Sequence, residues 1–227
     1  NHEGYFRVPI GITLIMTVCK NAGHEVELFD TTFIASEDNV DTLVREKAKL
    51  TKPIPMDAMF NKHTQEEIIN LWLKKIEDFK PDLIVASILE DAYKFADAIL
   101  GAAKNKFDIP IVAGGVTPTM SPLVCIENPN IDMIILNEGE VAILELCEAV
   151  EKKRSYDDVS NLVWVKDGEV RKNKLTKYMD MDKLPNQRLE FWNEKHFMKP
   201  YDGKMLMSGN FEMSRGCMHK CHYCFNR

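Results

Sequence analysis

Three short apolar runs, DLIVASIL at 82–89, IPIVAGG at 109–115 and DMIIL at 132–136, alternate with stretches of helical periodicity, and this alternation limits the chain to one class of fold. Runs that are apolar at nearly every position suit strands covered on both faces, as in a parallel sheet between helices. The helical stretches supply the covers. After Thr64, whose hydroxyl can form a capping box with Glu67, the residues Ile69, Trp72, Leu73, Ile76 and Phe79 fall on one helix face. Ala92, Phe95, Ile99, Leu100 and Ala103 mark another helix, Ser121-Pro122 a helix start, and residues 141–153 a further helix. Nearer the start, Pro9 opens a helical pattern of Ile10, Leu14, Ile15 and Val18 that stops at Gly23, and EVELFD at 25–30 reads as a short strand. Strands and helices alternating at this spacing predict an α/β domain with a parallel sheet and helices on both faces.

A parallel sheet of this kind has right-handed crossovers, so a strand is expected before the helix at residue 9. In a flavodoxin-like order that strand is central. Residue 1 is Asn and no such strand is legible, so the chain reads as part of a longer protein whose first strand is missing. Residues 31–63 form a long polar connection broken by Pro53 and Pro55. After residue 154 the pattern changes. NLVWV and EVRKN flank Lys166-Asp167-Gly168, a hairpin signal. Residues 174–204 read as an irregular linker packing over a neighbour, and 205–214 as a new strand. The expected organisation is therefore an α/β domain over 1–153, a hairpin and linker over 154–204, and the beginning of a second domain over 205–227.

Composition removes several alternatives. Lys and Arg number 29 against 35 Asp and Glu, a formal net charge of −6, so the chain carries no overall basic excess for nucleic acid. No run of about 18 apolar residues suggests a membrane span, and the first residues hold no secretory core. The six cysteines fall into two sets: Cys19, Cys125 and Cys147 are scattered, while Cys217, Cys221 and Cys224 crowd into eight residues. A disulfide framework would be spread along a small secreted chain, so the reading is a cytoplasmic protein with a thiolate metal site.

That site is the string SRGCMHKCHYC at 214–224, with spacing C-x3-C-x2-C. Three thiolates on one loop suit either of two centres. A zinc site would add His219 or His222 as a fourth ligand. A four-iron cluster would leave one iron open to a substrate or cofactor. The string, with Tyr223 before the last cysteine and an expected strand ahead of it, resembles the signature of radical S-adenosylmethionine (radical SAM) enzymes. The resemblance implies a [4Fe-4S] cluster on Cys217, Cys221 and Cys224, S-adenosylmethionine as co-substrate with Tyr223 nearby, and the first strand of a partial TIM barrel at 205–214.

Ligands of an open α/β sheet sit beyond the carboxyl ends of its strands. Those ends carry Ser87-Ile88-Leu89, then Gly114-Gly115 with Val116-Thr117, then Asn137-Glu138-Gly139-Glu140. Taken singly, each is also what an ordinary strand-to-helix junction carries, including the helix-start charges of Glu138 and Glu140. Together, and with Pro9-Ile10-Gly11 and AGHEVELFD, they resemble the cobalamin-binding domain found ahead of radical SAM barrels. The resemblance implies a cobalamin pocket contacted by Pro9, Ile10, Gly11, Ser87, Leu89, Gly114, Gly115, Thr117, Glu138 and Gly139. In it, a side chain at Gly114 or Gly115 would fill the space of the nucleotide tail. The D-x-H-x-x-G string that supplies a histidine to cobalt in related domains is absent, so no histidine is expected below cobalt.

The implied activity is a cobalamin-dependent radical SAM reaction, in which a 5′-deoxyadenosyl radical opens an unactivated carbon to methylation, with an electron donor such as flavodoxin or ferredoxin. Two alternatives stay open. One is a radical SAM enzyme of non-methylating type, or with an α/β domain that binds no cobalamin; the other is a non-catalytic zinc or corrin-carrier module. No catalytic residue is identifiable within these 227 residues.

Overall fold

The computed structural model describes residues 8–35, 47–48, 59–176, 179–202 and 204–224. Most of the long polar connection at 31–63 lies outside the described residues. The described helices are α1 (Ile10–Asn21), α2 (Gln65–Phe79), α3 (Tyr93–Lys104), α4 (Val116–Met120), α5 (Pro122–Ile126) and α6 (Glu140–Glu151). The strands are β1 (Ile34–Ala35), β2 (Asn61–Lys62), β3 (Ile84–Ser87), β4 (Ile111–Gly114), β5 (Met133–Ile135), β6 (Leu162–Lys166), β7 (Glu169–Lys172), β8 (Met198–Tyr201) and β9 (Lys204–Met207).

The three apolar runs form the centre of the main sheet, in the order β3-β4-β5-β6-β7. β3, β4 and β5 are parallel, with Val85 opposite Val112 and Val112 opposite Met133. Their side chains alternate between two cores, as strand pleating requires. Ile84, Ile111, Ala113 and Ile134 face Ile76, Leu100, Ala103 and Ile126 of α2, α3 and α5. Val112, Met133 and Ile135 face Val18 and Cys19 of α1 and Ala142, Ile143, Leu146 and Ala149 of α6. The helices therefore cover both faces, as the sequence leads one to expect. α2 begins with the capping box: the Glu67 amide donates to the Thr64 hydroxyl at 3.3 Å, and the Thr64 amide donates to the Glu67 carboxylate at 2.7 Å.

The Lys166-Asp167-Gly168 hairpin forms, with positive φ at both Asp167 (52°) and Gly168 (79°), as a primed turn demands. It does not stand apart from the domain. β6 pairs antiparallel with β5, Ile134 opposite Val163, and the sheet continues past residue 153 as a mixed one.

Two sequence expectations need correction. EVELFD at 25–30 is not a strand. Val26 and Leu28 pack against the small core of Val8, Met16 and Trp192, but no ladder partner exists for this segment among the described residues. A strand needs a neighbour for its amides, and β3 is the edge of the sheet as described. The strand expected over 205–214 ends at Met207, and it pairs antiparallel with its own predecessor β8 rather than lying in a parallel array.

The segment after the hairpin lies over α1, and it is not irregular throughout, since Met198–Tyr201 form β8. The Trp192 indole donates to the Thr13 hydroxyl at 2.9 Å, and the Arg188 amide donates to Thr17 at 3.0 Å. His196, fully buried between Phe33 and Trp192, meets the Asp30 carboxylate at 2.6 Å through Nε2, while its Nδ1 finds no hydrogen-bond partner among the described residues.

Candidate cofactor site

The carboxyl ends of β3, β4 and β5 open into a cavity of about 290 Å³. It lies where a parallel sheet presents its strand ends between two helix layers, the usual ligand position of such sheets. Its inner wall is apolar, made by Ile12, Ile15, Val112, Ile135 and Ile143. Its rim is polar, made by Ser87, Asn137, Glu138, Glu140, Glu212 and Arg215.

Of the residues expected at a cofactor pocket, Gly11, Ser87, Gly114, Gly115, Glu138 and Gly139 line this cavity. Pro9 caps α1 and Ile10 is its first residue; neither lines the cavity. Leu89 is exposed beyond β3, and Thr117 lies in α4 with its amide bonded to the Ile88 carbonyl. Tyr223, 93 % exposed, is also outside it.

The two adjacent glycines play different parts. Gly115 has φ 98° and ψ −165°, a conformation open almost only to glycine. A Cβ there would stand 3.2 Å from the Ser87 hydroxyl and 3.3 Å from the Ile88 amide nitrogen and carbonyl oxygen. Gly115 thus serves the tight junction with the β3 turn, and a side chain there would press on that turn. Gly114 is open: its Cβ would meet only the Ile135 carbonyl, at 3.7 Å, and one at Gly11 would meet nothing within 4 Å. Bare backbone faces the cavity at both places, which suits close approach by a bulky ligand.

The Asn137–Glu140 turn is held from behind by a residue that sequence reading passed over. Asn161, 2 % exposed, donates through Nδ2 to the Glu138 carbonyl at 2.7 Å and accepts the Thr176 amide at 2.7 Å. The Glu138 carboxylate accepts the Met179 amide at 2.6 Å. Glu140, at the start of α6, is buried.

Arg215 was also missed, although it stands two residues before Cys217. It is 16 % exposed and faces three carboxylates: Glu140 at 2.6 Å, Glu212 at 3.0 Å and Glu138 at 3.4 Å. Burial alone would weaken its charge. The hydrogen bonds and charges of Glu140 and Glu212 outweigh that effect and hold the guanidinium more firmly protonated than usual. A lone arginine in a sequence gives no sign of such partners; only its place in Ser-Arg-Gly-Cys hinted at a role.

The three clustered cysteines lie on one loop after Gly216, whose φ is 78°. Cys217 is exposed, and its sulfur accepts the His219 amide at 3.4 Å. Among the described residues, no group of three or more His, Cys, Asp or Glu side chains is gathered to hold a metal ion. The donors fit a cluster by chemistry and spacing, and the loop that carries them is largely exposed. The other cysteines are of a different kind. Cys125 is buried, and Cys19 packs with Cys147 between α1 and α6. The contact with Cys147, together with burial, pushes the Cys19 thiol up, while the hydrogen bond from Cys19 lowers Cys147.

A mixed sheet covered by helices on both faces, with a glycine-lined cavity at the carboxyl ends of its parallel strands, is the architecture of a ligand-binding α/β domain. The chain belongs to the B12 binding domain family, whose pattern matches residues 4–147, more than half of its length. It is 24 % identical over 95 % of its length to cytidylyl-2-hydroxyethylphosphonate methyltransferase of Streptomyces wedmorensis, covering 43 % of that protein. It is 31 % identical over 77 % of its length to anaerobic magnesium-protoporphyrin IX monomethyl ester cyclase of Rubrivivax gelatinosus, covering 31 % of that protein. The chain thus spans less than half of these relatives. Its fold resembles that of the radical S-adenosylmethionine methyltransferase TsrM from Kitasatospora setae, a structure with cobalamin and a [4Fe-4S] cluster bound (TM-score 0.51, 17 % identity, 79 % of this chain and 28 % of that one). No described helix is long and apolar enough to cross a membrane.

Proposed function

We propose that the chain is the cofactor-binding portion of a cobalamin-dependent radical SAM enzyme that methylates an unactivated carbon. The observation that carries this reading is the convergence of one cavity and one loop. The cavity at the strand ends is lined in part by Arg215 and Glu212, which belong to the segment leading directly into Cys217, Cys221 and Cys224. Residues 1–153, with the hairpin that extends their sheet, are then the cobalamin domain, 174–204 the connection, and 205–227 the entry to the catalytic domain.

In this reading Gly11, Ser87, Gly114, Glu138 and Gly139 hold cobalamin, with Gly115 shaping the turn. At about 290 Å³ the cavity has the size of a small-ligand pocket. It would take the nucleotide tail of a bound cobalamin. Among the described residues, no histidine, cysteine or methionine lines it. Cys217, Cys221 and Cys224 would hold three irons of a cluster. When bound, the two cofactors supply radical hydrogen abstraction and methyl transfer, and the protein contributes placement and exclusion of water. An electron donor such as flavodoxin or ferredoxin would meet the exposed cysteine side.

The cyclase relative favours a second reading, a radical SAM ring closure without methyl transfer. Anaerobic reconstitution with counts of iron and sulfide tests the cluster: each single Cys217→Ala, Cys221→Ala or Cys224→Ala change should abolish sulfide-containing clusters, while Cys125→Ala should not. Stoichiometric zinc without sulfide would overturn the reading. Transfer of a labelled methyl group from S-adenosylmethionine into the product separates methylation from ring closure.

A further inference from the structure

Arg215 occupies an unusual place. Its guanidinium lines the cavity, yet its backbone belongs to the segment that carries the cysteines. Its three acceptors come from both sides of this junction. Glu138 and Glu140 flank the start of α6, which walls the cavity together with Ile143; Glu212 lies on the same segment as Arg215. The contacts at 2.6 and 3.4 Å to Glu140 and Glu138 are therefore ties between the cofactor domain and the cysteine loop. A planar guanidinium fixes direction as well as distance, because its donors are rigidly arrayed. A second tie runs nearby: the Asn210 amide donates to the Val8 carbonyl at 3.3 Å, next to the helix start that brings Gly11 to the cavity.

We propose that Arg215 is a positioning residue that relays occupancy of the cavity to the cysteine loop, so that a corrinoid in the cavity orders the segment leading into Cys217. The physical basis is the shared wall. A ligand against Glu138, Gly139 and Glu140 fixes the first turn of α6, and the same carboxylates fix Arg215. Without the guanidinium, Glu138, Glu140 and Glu212 lose their shared partner, and the loop loses its ion pairs to that turn. Purely local packing of the loop would give no such relay. The proposal rests on the reading that the cavity takes cobalamin.

The test is hydrogen exchange of amides 208–217, with and without saturating hydroxocobalamin, in the wild-type chain and in Arg215→Gln, with binding followed by the visible spectrum. In the wild type, hydroxocobalamin should slow exchange of these amides by at least about fivefold, the lower end of ordinary coupling between sites. In Arg215→Gln the added protection should fall below about twofold although cobalamin still binds. A merely structural role would change protection equally with and without the ligand. Should Arg215→Gln fail to fold, Arg215→Lys, which keeps the charge but loses the fork, should retain part of the ligand-dependent protection. Equal ligand-dependent protection in wild type and variants, or none in the wild type despite bound cobalamin, overturns the relay alone. A wild-type chain that binds no hydroxocobalamin overturns the cobalamin reading and the relay with it.

Discussion

Replacing Gly115 by alanine should destabilise the domain far more than replacing its neighbour Gly114, and the difference follows from the backbone. Gly115 sits at φ 98° and ψ −165°, where an L residue is strained by about 1–3 kcal/mol. Its Cβ would also press on three atoms at 3.2–3.3 Å, two of them backbone atoms of Ile88. Ile88 cannot yield easily: it is 1 % exposed, and its amide donates to the Gly114 carbonyl at 3.0 Å. Overpacking of this kind adds about 1 kcal/mol or more, so the total is about 3 kcal/mol. For a domain of this size that lowers Tm by about 6–12 °C. Gly114→Ala meets one atom at an ordinary 3.7 Å and needs no unusual φ, so its Tm should move by less than about 2 °C. Thermal unfolding followed by circular dichroism, supported by urea titration, reads both. Equal Tm values for the two variants would refute the argument that the Gly115 turn is set by backbone conformation and the β3 contact.

Two further outcomes are expected. Asn161→Ala removes a buried amide that holds the Glu138 carbonyl and the Thr176 amide, and should cost about 1–3 kcal/mol, read as a lower urea midpoint at unchanged slope. Burial works to raise the Asp30 carboxyl, but hydrogen bonds from His196 and Thr32 outweigh it and hold it below its ordinary value of 3.8. A depressed carboxyl stabilises the fold above its unfolded pKa and loses that contribution as pH falls through the folded one. Asp30→Asn should therefore lower Tm at pH 7 and 5, with the gap to wild type closing below about pH 4; a gap unchanged at pH 3 would show that the charge of Asp30 is not involved.

Features that depend on neighbouring residues and on apolar periodicity are legible along the chain. The runs at 82–89, 109–115 and 132–136 became β3, β4 and β5 because continuous apolar segments have to be covered on both sides. Thr64 and Glu67 fixed the start of α2, and Asp167-Gly168 fixed a hairpin, because capping boxes and primed turns are local hydrogen-bond and φ requirements. The glycine and carboxylate turns at the strand ends were legible as a site for the same reason.

Tertiary structure decided what depends on a distant partner. EVELFD has a strand's pattern, yet its Val26 and Leu28 pack on the α1 side without a ladder, because a strand exists only where another strand offers its amides. The hairpin's place on β5 required the pairing of Ile134 with Val163, which no local signal specifies. Arg215 and Glu140 are 75 positions apart and bear no mark of each other in the sequence. Only the tertiary structure brings Glu212 and Arg215 to the cavity at the strand ends, beside Glu138 and Glu140.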